Sequence, residues 1–375
     1  MDKDIIYEKD ATMGKKRDTY LDFMKGVAAT NIIMIHTVFW SGEGYVPEIV
    51  KSIALVLDVP FFFFCSGVGY TYVRSFKKTM LSIFNLYRKY LIFLVFYFVC
   101  LILFGIILKN NDGITLENFV NNMFFLRTEN TALRVVMGSI WFMPVYFTVI
   151  PIGSYIVTKL YYACTPPGKS QTDEKEFMKL CRITLLIVFM GLIYTYLGKN
   201  FFYFSSTTLV YLFFWMLGVV CSRKKIQHFY SVIIIECGIL IFMKVMAKYL
   251  NVELRNMQSL KFPPNIIYVV YSLAIIVLAL YAKGRLKISD KNVFSWIGKN
   301  AIYYYFCQGI SSSLLMYFIP SIKWEWYIKL PVAFSINFIV TCIFVVILKK
   351  IYEITDKIIS HLICNIHYKN GENIL

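Results

Sequence analysis

Residues 90–108 read YLIFLVFYFVCLILFGIIL. The run carries no charge, and its apolar residues do not alternate with polar ones. A strand of a membrane barrel would alternate over about ten residues. An unbroken apolar run of about 20 residues is the length of a helix that crosses a bilayer. Similar runs recur along the chain, separated by short basic stretches. Of the 375 residues, 58% are hydrophobic and only 16% are charged, against about 25% charged in soluble domains. The expected fold is all-α, a polytopic membrane helical bundle.

The runs predict about ten transmembrane helices, near 21–40, 50–72, 90–108, 139–158, 183–198, 203–221, 230–249, 265–282, 300–319 and 330–348. The spacing of charge supports that number. Alternate segments, beginning with the N-terminal one, hold 27 of the 39 lysines and arginines, and the intervening loops hold ten. Lys25 and Lys244 fall inside spans. Cytoplasmic loops carry the excess of Lys and Arg, so both termini, "TPPGKSQTDEKEF" and "SRKKIQ" are expected in the cytoplasm and "RTENTALR" outside. Residues 1–20 then form a cytoplasmic N-terminal segment, 21–348 one membrane domain, and 349–375 a cytoplasmic tail. The weakest separation is "GKNFF" between the fifth and sixth spans. The polar N-terminus does not resemble a cleavable signal peptide, which leaves the first helix as the membrane-targeting signal.

The net charge of +17 raises a nucleic-acid partner. The basic residues sit in loops that flank apolar runs, so topology accounts for them and no nucleic acid is expected. Five of the nine cysteines, Cys65, Cys100, Cys237, Cys307 and Cys342, lie in apolar runs. None forms a CxxC pair or a metal-ligand spacing with histidine, so no metal site is expected. There is no GxxxxGK[ST] or GxGxxG phosphate loop.

Chemistry concentrates in a few polar residues inside the spans. In "LDFMKGVAATNIIMIHTVFW" (21–40), Lys25 and His36 stand eleven residues apart. At 100° per residue they share one helix face, about 16 Å apart along the axis. Asp22 lies one turn before Lys25, and Gly26, Ala29 and Ile32 or Ile33 lie between Lys25 and His36. Asp22 and Lys25 read equally as markers of the cytoplasmic end, with Lys25 snorkelling to the interface. His36 is the one histidine of four inside a span, and an intramembrane ionisable group is a functional candidate. Imidazole suits proton transfer near neutral pH; the bland reading is a neutral ring bonded to another helix. In "LDVPFFFFCSGVGY" (57–70), Asp58 precedes Pro60, which predicts a kinked helix with a freed carbonyl, followed by Ser66, Gly67 and Gly69. The bland reading is an aspartate capping a bend. In "GSIWFMPVYF" (138–147), Trp141 reads as an interfacial aromatic or as a site residue. Glu236 and Lys244 share a face of the seventh span but stand about 12 Å apart along the axis, so each needs another partner.

Four of these stretches together resemble the integral-membrane acyltransferase-3 family. "YLDFMKGVAATNIIMIH" is similar to its first-helix signature, a basic residue and a histidine with ten residues between them. "VPFFFFCSGV" resembles its second-helix segment, "SIWFMPVYF" its Trp-Phe-Leu/Met motif, and "WIGKNAIYYYFCQGI" its late Gly-Lys-Asn segment. Two departures stand out. Lys25 takes the place of the usual arginine, keeping the charge and losing the planar fork. Gln308 stands near the place of a late histidine, whose role cannot be transferred.

The resemblance implies a ten-span membrane O-acyltransferase. Its donor would be acetyl-CoA or another acyl-CoA from the cytoplasm, and its acceptor a hydroxyl of a surface polysaccharide, other glycan or lipid-linked sugar. No permanently bound cofactor is implied, and the place is the cell (cytoplasmic) membrane. His36 is the expected general base, with Asp22 or Asp58 orienting the imidazole. Lys25 and Arg88 are expected near the thioester or the CoA phosphates, and Ser66 and Trp141 beside substrate. The stretch "RSFKKTMLSIFNLYRKY" (74–90) offers five basic residues to a polyanionic donor, although positive-inside charge explains them as well. The rival reading is a transporter or glycan flippase that uses the same polar residues as a path.

Overall fold

The computed structural model describes residues 17–42, 44–126, 131–164, 174–197 and 203–369. The described residues form fourteen α-helices and two short 3₁₀ turns, with no strand. In chain order they are α1 (Thr19–Trp40), α2 (Glu48–Ala54), α3 (Val59–Val73), α4 (Phe76–Leu108), α5 (Leu116–Phe125), α6 (Arg134–Ile140) and α7 (Phe142–Cys164). There follow α8 (Glu174–Leu197), α9 (Tyr203–Cys221), α10 (Phe229–Leu250), α11 (Ile266–Ala282), α12 (Val293–Lys299), α13 (Ala301–Phe318) and α14 (Trp326–Lys369). The loops expected at 165–173 and 198–202 lie outside the described residues, as do residues 127–130 of "RTENTALR".

Seven helical stretches are long and apolar enough to cross a membrane, with α2–α3 and α6–α7 each taken as one. The other three expected spans appear as α9, α11 and α13, of which the apolar parts of α9 and α11 are shorter than a full crossing. Each of the ten apolar runs is therefore helical, and seven meet the length and composition of a crossing.

Two expected spans are broken. Pro60 does not kink a continuous helix; it stands in the first turn of α3, after a turn that ends α2 at Ala54. A proline at a helix start needs no N–H partner. The carbonyls released by the break are taken by a side chain from α1: Asn31 donates its amide to the Ala54 and Leu57 carbonyls at 2.8 and 2.7 Å. The fourth span breaks at Trp141, between α6 and α7. Pro144 has no N–H for the Ile140 carbonyl four residues back, so the ladder stops there.

Two helices run further than the sequence predicts. The basic stretch 74–90 is mostly the beginning of α4, capped by Ser75, whose hydroxyl accepts from the Lys78 N–H. The tail after residue 348 continues α14 to Lys369. That extension carries Lys349, Glu353 and Lys357 four residues apart, a spacing that supports a helix outside lipid.

Helix α1 is the centre of the bundle. At Gly26 an added Cβ would fall on the Phe294 carbonyl of α12, and at Gly298 on the Asp22 carbonyl of α1. The two backbones cross with only hydrogens between them, the use membrane helices make of small residues. Gly67 and Gly218 make the same exchange between α3 and α9. At the other end of α1, buried Asn337 of α14 donates to Thr37 Oγ1 and Ser312 Oγ, both at 2.9 Å. Ser311 Oγ donates to Asn337 Oδ1 at 2.6 Å and pairs with Thr341 at 2.6 Å. This network ties α1, α13 and α14 beside residue 36. By contrast α10 exposes most of its apolar side chains. Lys244 on α10 is exposed, and Glu236 Oε1 is buried with no partner among the described residues.

Candidate active site

The helix α1 holds Lys25 and His36 in register, and the bundle gives them different surroundings. Lys25 is half-buried and makes no hydrogen bond or ion pair with another described residue. It stands where two cavities meet. One, of about 300 Å³, has the cations Arg17, Lys25 and Lys299 in its lining and continues along Ile32, Val59, Phe62, Phe142 and Tyr305. The other, of about 400 Å³, is lined by Lys25, Lys78, Thr79 and Ser82, together with Gly69 and Tyr70. Ser66 and Tyr146 border both, their hydroxyls 3.3 Å apart. Gly69 leaves room for the lysine: a Cβ there would stand 3.9 Å from Lys25 Nζ.

Ile32 is one turn before His36, and Val59 follows Asp58. The apolar wall of the first cavity therefore ends next to a second cluster. There His36 is partly covered, and its Nδ1 is buried with no hydrogen-bond partner. Lys261 and Asp58, of opposite charge, are the charged groups near the ring. Asp58 is 1% exposed. It occupies the N-cap position of α3 without capping it. Its Oδ2 instead takes Lys261 Nζ at 2.7 Å and the Tyr268 hydroxyl at 2.8 Å, while Oδ1 is buried and unpartnered. Lys261 Nζ stands 5.4 Å from the centre of the Trp141 ring and 5.2 Å from that of Phe262.

A family model described as an acyltransferase domain, that of the acyltransferase-3 family, matches residues 18–350. The chain belongs to the acyltransferase-3 family. No curated protein and no solved structure matches it. The protein is thus a membrane acyltransferase, and the matched region runs from the start of α1 to within α14.

In this acyltransferase the expected site residues separate into two groups. Lys25 and Ser66 meet at the cavities. Asp58 and Trp141 meet at the Lys261 end, together with His36. Trp141 is half-buried and lies against Phe262 and Lys261. Asp22 is not the group that orients His36. It is buried and grips Arg17 through both carboxylate oxygens, and it lies fourteen residues before His36, about 21 Å along the helix. It cannot orient the ring. Arg88 is in the lining of neither cavity; it pairs with Asp356 at 2.9 Å and with the Tyr352 hydroxyl at 2.7 Å, both on α14. Gln308 donates to Ser139 Oγ at 3.0 Å, and its Oε1 is buried without a partner.

Sequence reasoning missed Lys261, Tyr268 and Tyr146. Lys261 looked like one of three charges in a loop. Its signal would have been the need of a buried Asp58 for a counter-charge. The late segment gains a physical reading as well. Gly298 makes the crossing with α1, Lys299 lines the cavity, and Asn300 donates to the Trp296 carbonyl at 2.9 Å.

Proposed function

We propose that this acyltransferase moves an acyl group, expected to be acetyl, from cytoplasmic acyl-CoA to a hydroxyl of a surface glycan or lipid-linked sugar at the cell membrane. One observation carries the reading. Lys25, a cation with no counter-charge among the described residues, stands at the join of two cavities, and the apolar wall of one leads to within a turn of His36. A charge in that position is costly without an anion. The phosphates of CoA supply one, with Lys78 and Lys299 nearby to add attraction. Asp22 serves by holding Arg17 at this mouth. The apolar wall suits the uncharged arm and the acyl group.

At the far end His36 takes the proton of the acceptor hydroxyl while the oxygen attacks the thioester carbonyl. The C–S bond breaks, and the proton passes from His36 to the departing thiolate. Asp58 stabilises the ring while it is charged. Ser66 and Tyr146 offer hydroxyls to the donor between the two ends. Trp141 borders the acceptor end.

Purified protein in lipid nanodiscs, given labelled acetyl-CoA and the glycan fraction of its host, tests the reading. Covalent label on the glycan is expected, together with loss of the same modification by mass spectrometry in cells lacking the gene. Movement of labelled substrate across vesicles without covalent transfer would overturn it in favour of a transporter.

A further inference from the structure

The segment between α10 and α11 folds back over the break between α2 and α3. Ser52 of α2 donates to the Arg255 carbonyl at 2.5 Å and accepts from the Met257 N–H at 3.4 Å. Tyr271 of α11 donates to the Ser52 carbonyl at 2.5 Å. These bonds pin residues 255–257 on α2, and Lys261 follows them inward to Asp58. Both charges end up buried.

Stability alone is a poor reason for such a pair. Buried ion pairs are commonly replaced by apolar residues of similar volume at no loss of stability. Three details suggest another use. Lys261 and Tyr268 both hold Oδ2, so one carboxylate oxygen is fixed and the other is left open. His36 Nδ1 is likewise buried without a partner. His36 and Asp58 stand by one cavity wall, because Ile32, a turn before His36, and Val59, next to Asp58, line the same cavity.

We propose that Lys261 is a positioning residue of the acyl transfer. Delivered by the 251–265 segment, it supplies the counter-charge that lets the Asp58 carboxylate stand in this buried site and fixes it through Oδ2. Asp58 then stabilises the positive charge that His36 gains with the acceptor proton. Lys261 touches neither substrate and serves by holding Asp58. The inference rests on the reading of His36 as the base.

The test uses Lys261→Met, Lys261→Gln, Asp58→Asn and the double variant Asp58→Asn/Lys261→Met, each in nanodiscs. Turnover is counted per donor-binding site, so that loss of folded protein cancels. The double variant leaves no unpaired charge. It is expected to bind CoA and unfold as the wild type does, while kcat falls about 10–100-fold, the size of one charge-assisted interaction, with the KM for donor unchanged. Lys261→Gln keeps a donor for Oδ2 and loses the charge, so it is expected to fall equally. The double variant should be no slower than the worse single one, as expected of residues acting as a unit.

Wild-type kcat in the double variant or in Lys261→Gln would overturn the proposal and leave a structural pair. A fall matched by an equal rise in donor KM would also overturn it. Failure of the underlying reading looks different: His36→Gln would then turn over normally. Loss in His36→Gln alongside full turnover in the double variant removes Lys261 from the mechanism and keeps the base.

Discussion

Lys25 and Lys261 are both lysines in the apolar part of the bundle, and the fold treats them in opposite ways. Lys261 is buried against Asp58, beside two aromatic rings. Lys25 has no partner among the described residues and faces open space. A paired charge is finished without a ligand; an unpaired one is not. The contrast assigns binding to the Lys25 end and chemistry to the His36–Lys261 end, about 16 Å away on the same helix.

The sharpest way to break that division is at His36. His36→Gln keeps a hydrogen-bonding group but cannot act as a base. It is expected to lose about 10²–10⁴-fold in kcat while binding of CoA, measured by titration, stays at the wild-type level. Near-normal glycan acylation would leave His36 as a helix bridge. The counterpart at the other end is Lys25→Ala. Steady-state kinetics should show kcat/KM for acyl-CoA reduced about 10–100-fold, the loss of one charge-assisted contact, with most of the change in KM. Lys25→Arg should keep activity. If Lys25→Ala lowers kcat alone, the two ends are not divided as described.

The next effect concerns what holds the ends in place. Asn31→Ala leaves two carbonyls at the α2–α3 break without donors. An unsatisfied buried group costs about 1–3 kcal/mol, so thermal unfolding in detergent should show a clear loss of stability, with donor KM little changed. The smallest effect is expected at Arg88. Its guanidinium is committed to Asp356 and Tyr352, so Arg88→Ala should change the KM for acyl-CoA by less than about tenfold, below one charge-assisted contact. A change as large as that of Lys25→Ala would place the donor across α4 and α14 instead of in the cavities.

The fold was legible wherever one short-range signal sufficed. Apolar runs gave the helical segments, and the 100° rotation per residue put Lys25 and His36 on one face. Signals that depend on a distant residue were not legible. Pro60 at a helix start and Pro60 inside a kinked helix look alike in sequence; the choice was made by Asn31, on another helix. Arg88 could be read as a free cation because Asp356 lies 268 positions away. Lys261 counted as loop charge because nothing local says that a loop lysine turns inward. Asp22 was grouped with His36 by shared helix face, but distance along the axis and Arg17 decided its partner.

The arrangement around Asn31 also bears on how the protein is assembled. A carboxamide in mid-helix is a poor guest in hydrocarbon, and so is a broken helix with bare carbonyls at Ala54 and Leu57. Each defect is the remedy for the other. A chain made from its N-terminus presents the amide first and the broken helix second. The two segments therefore have reason to stay together beside the insertion machinery instead of parting into lipid. The join that frames Asp58 thus satisfies the polar groups of the first two spans on each other, one donor group to two acceptors.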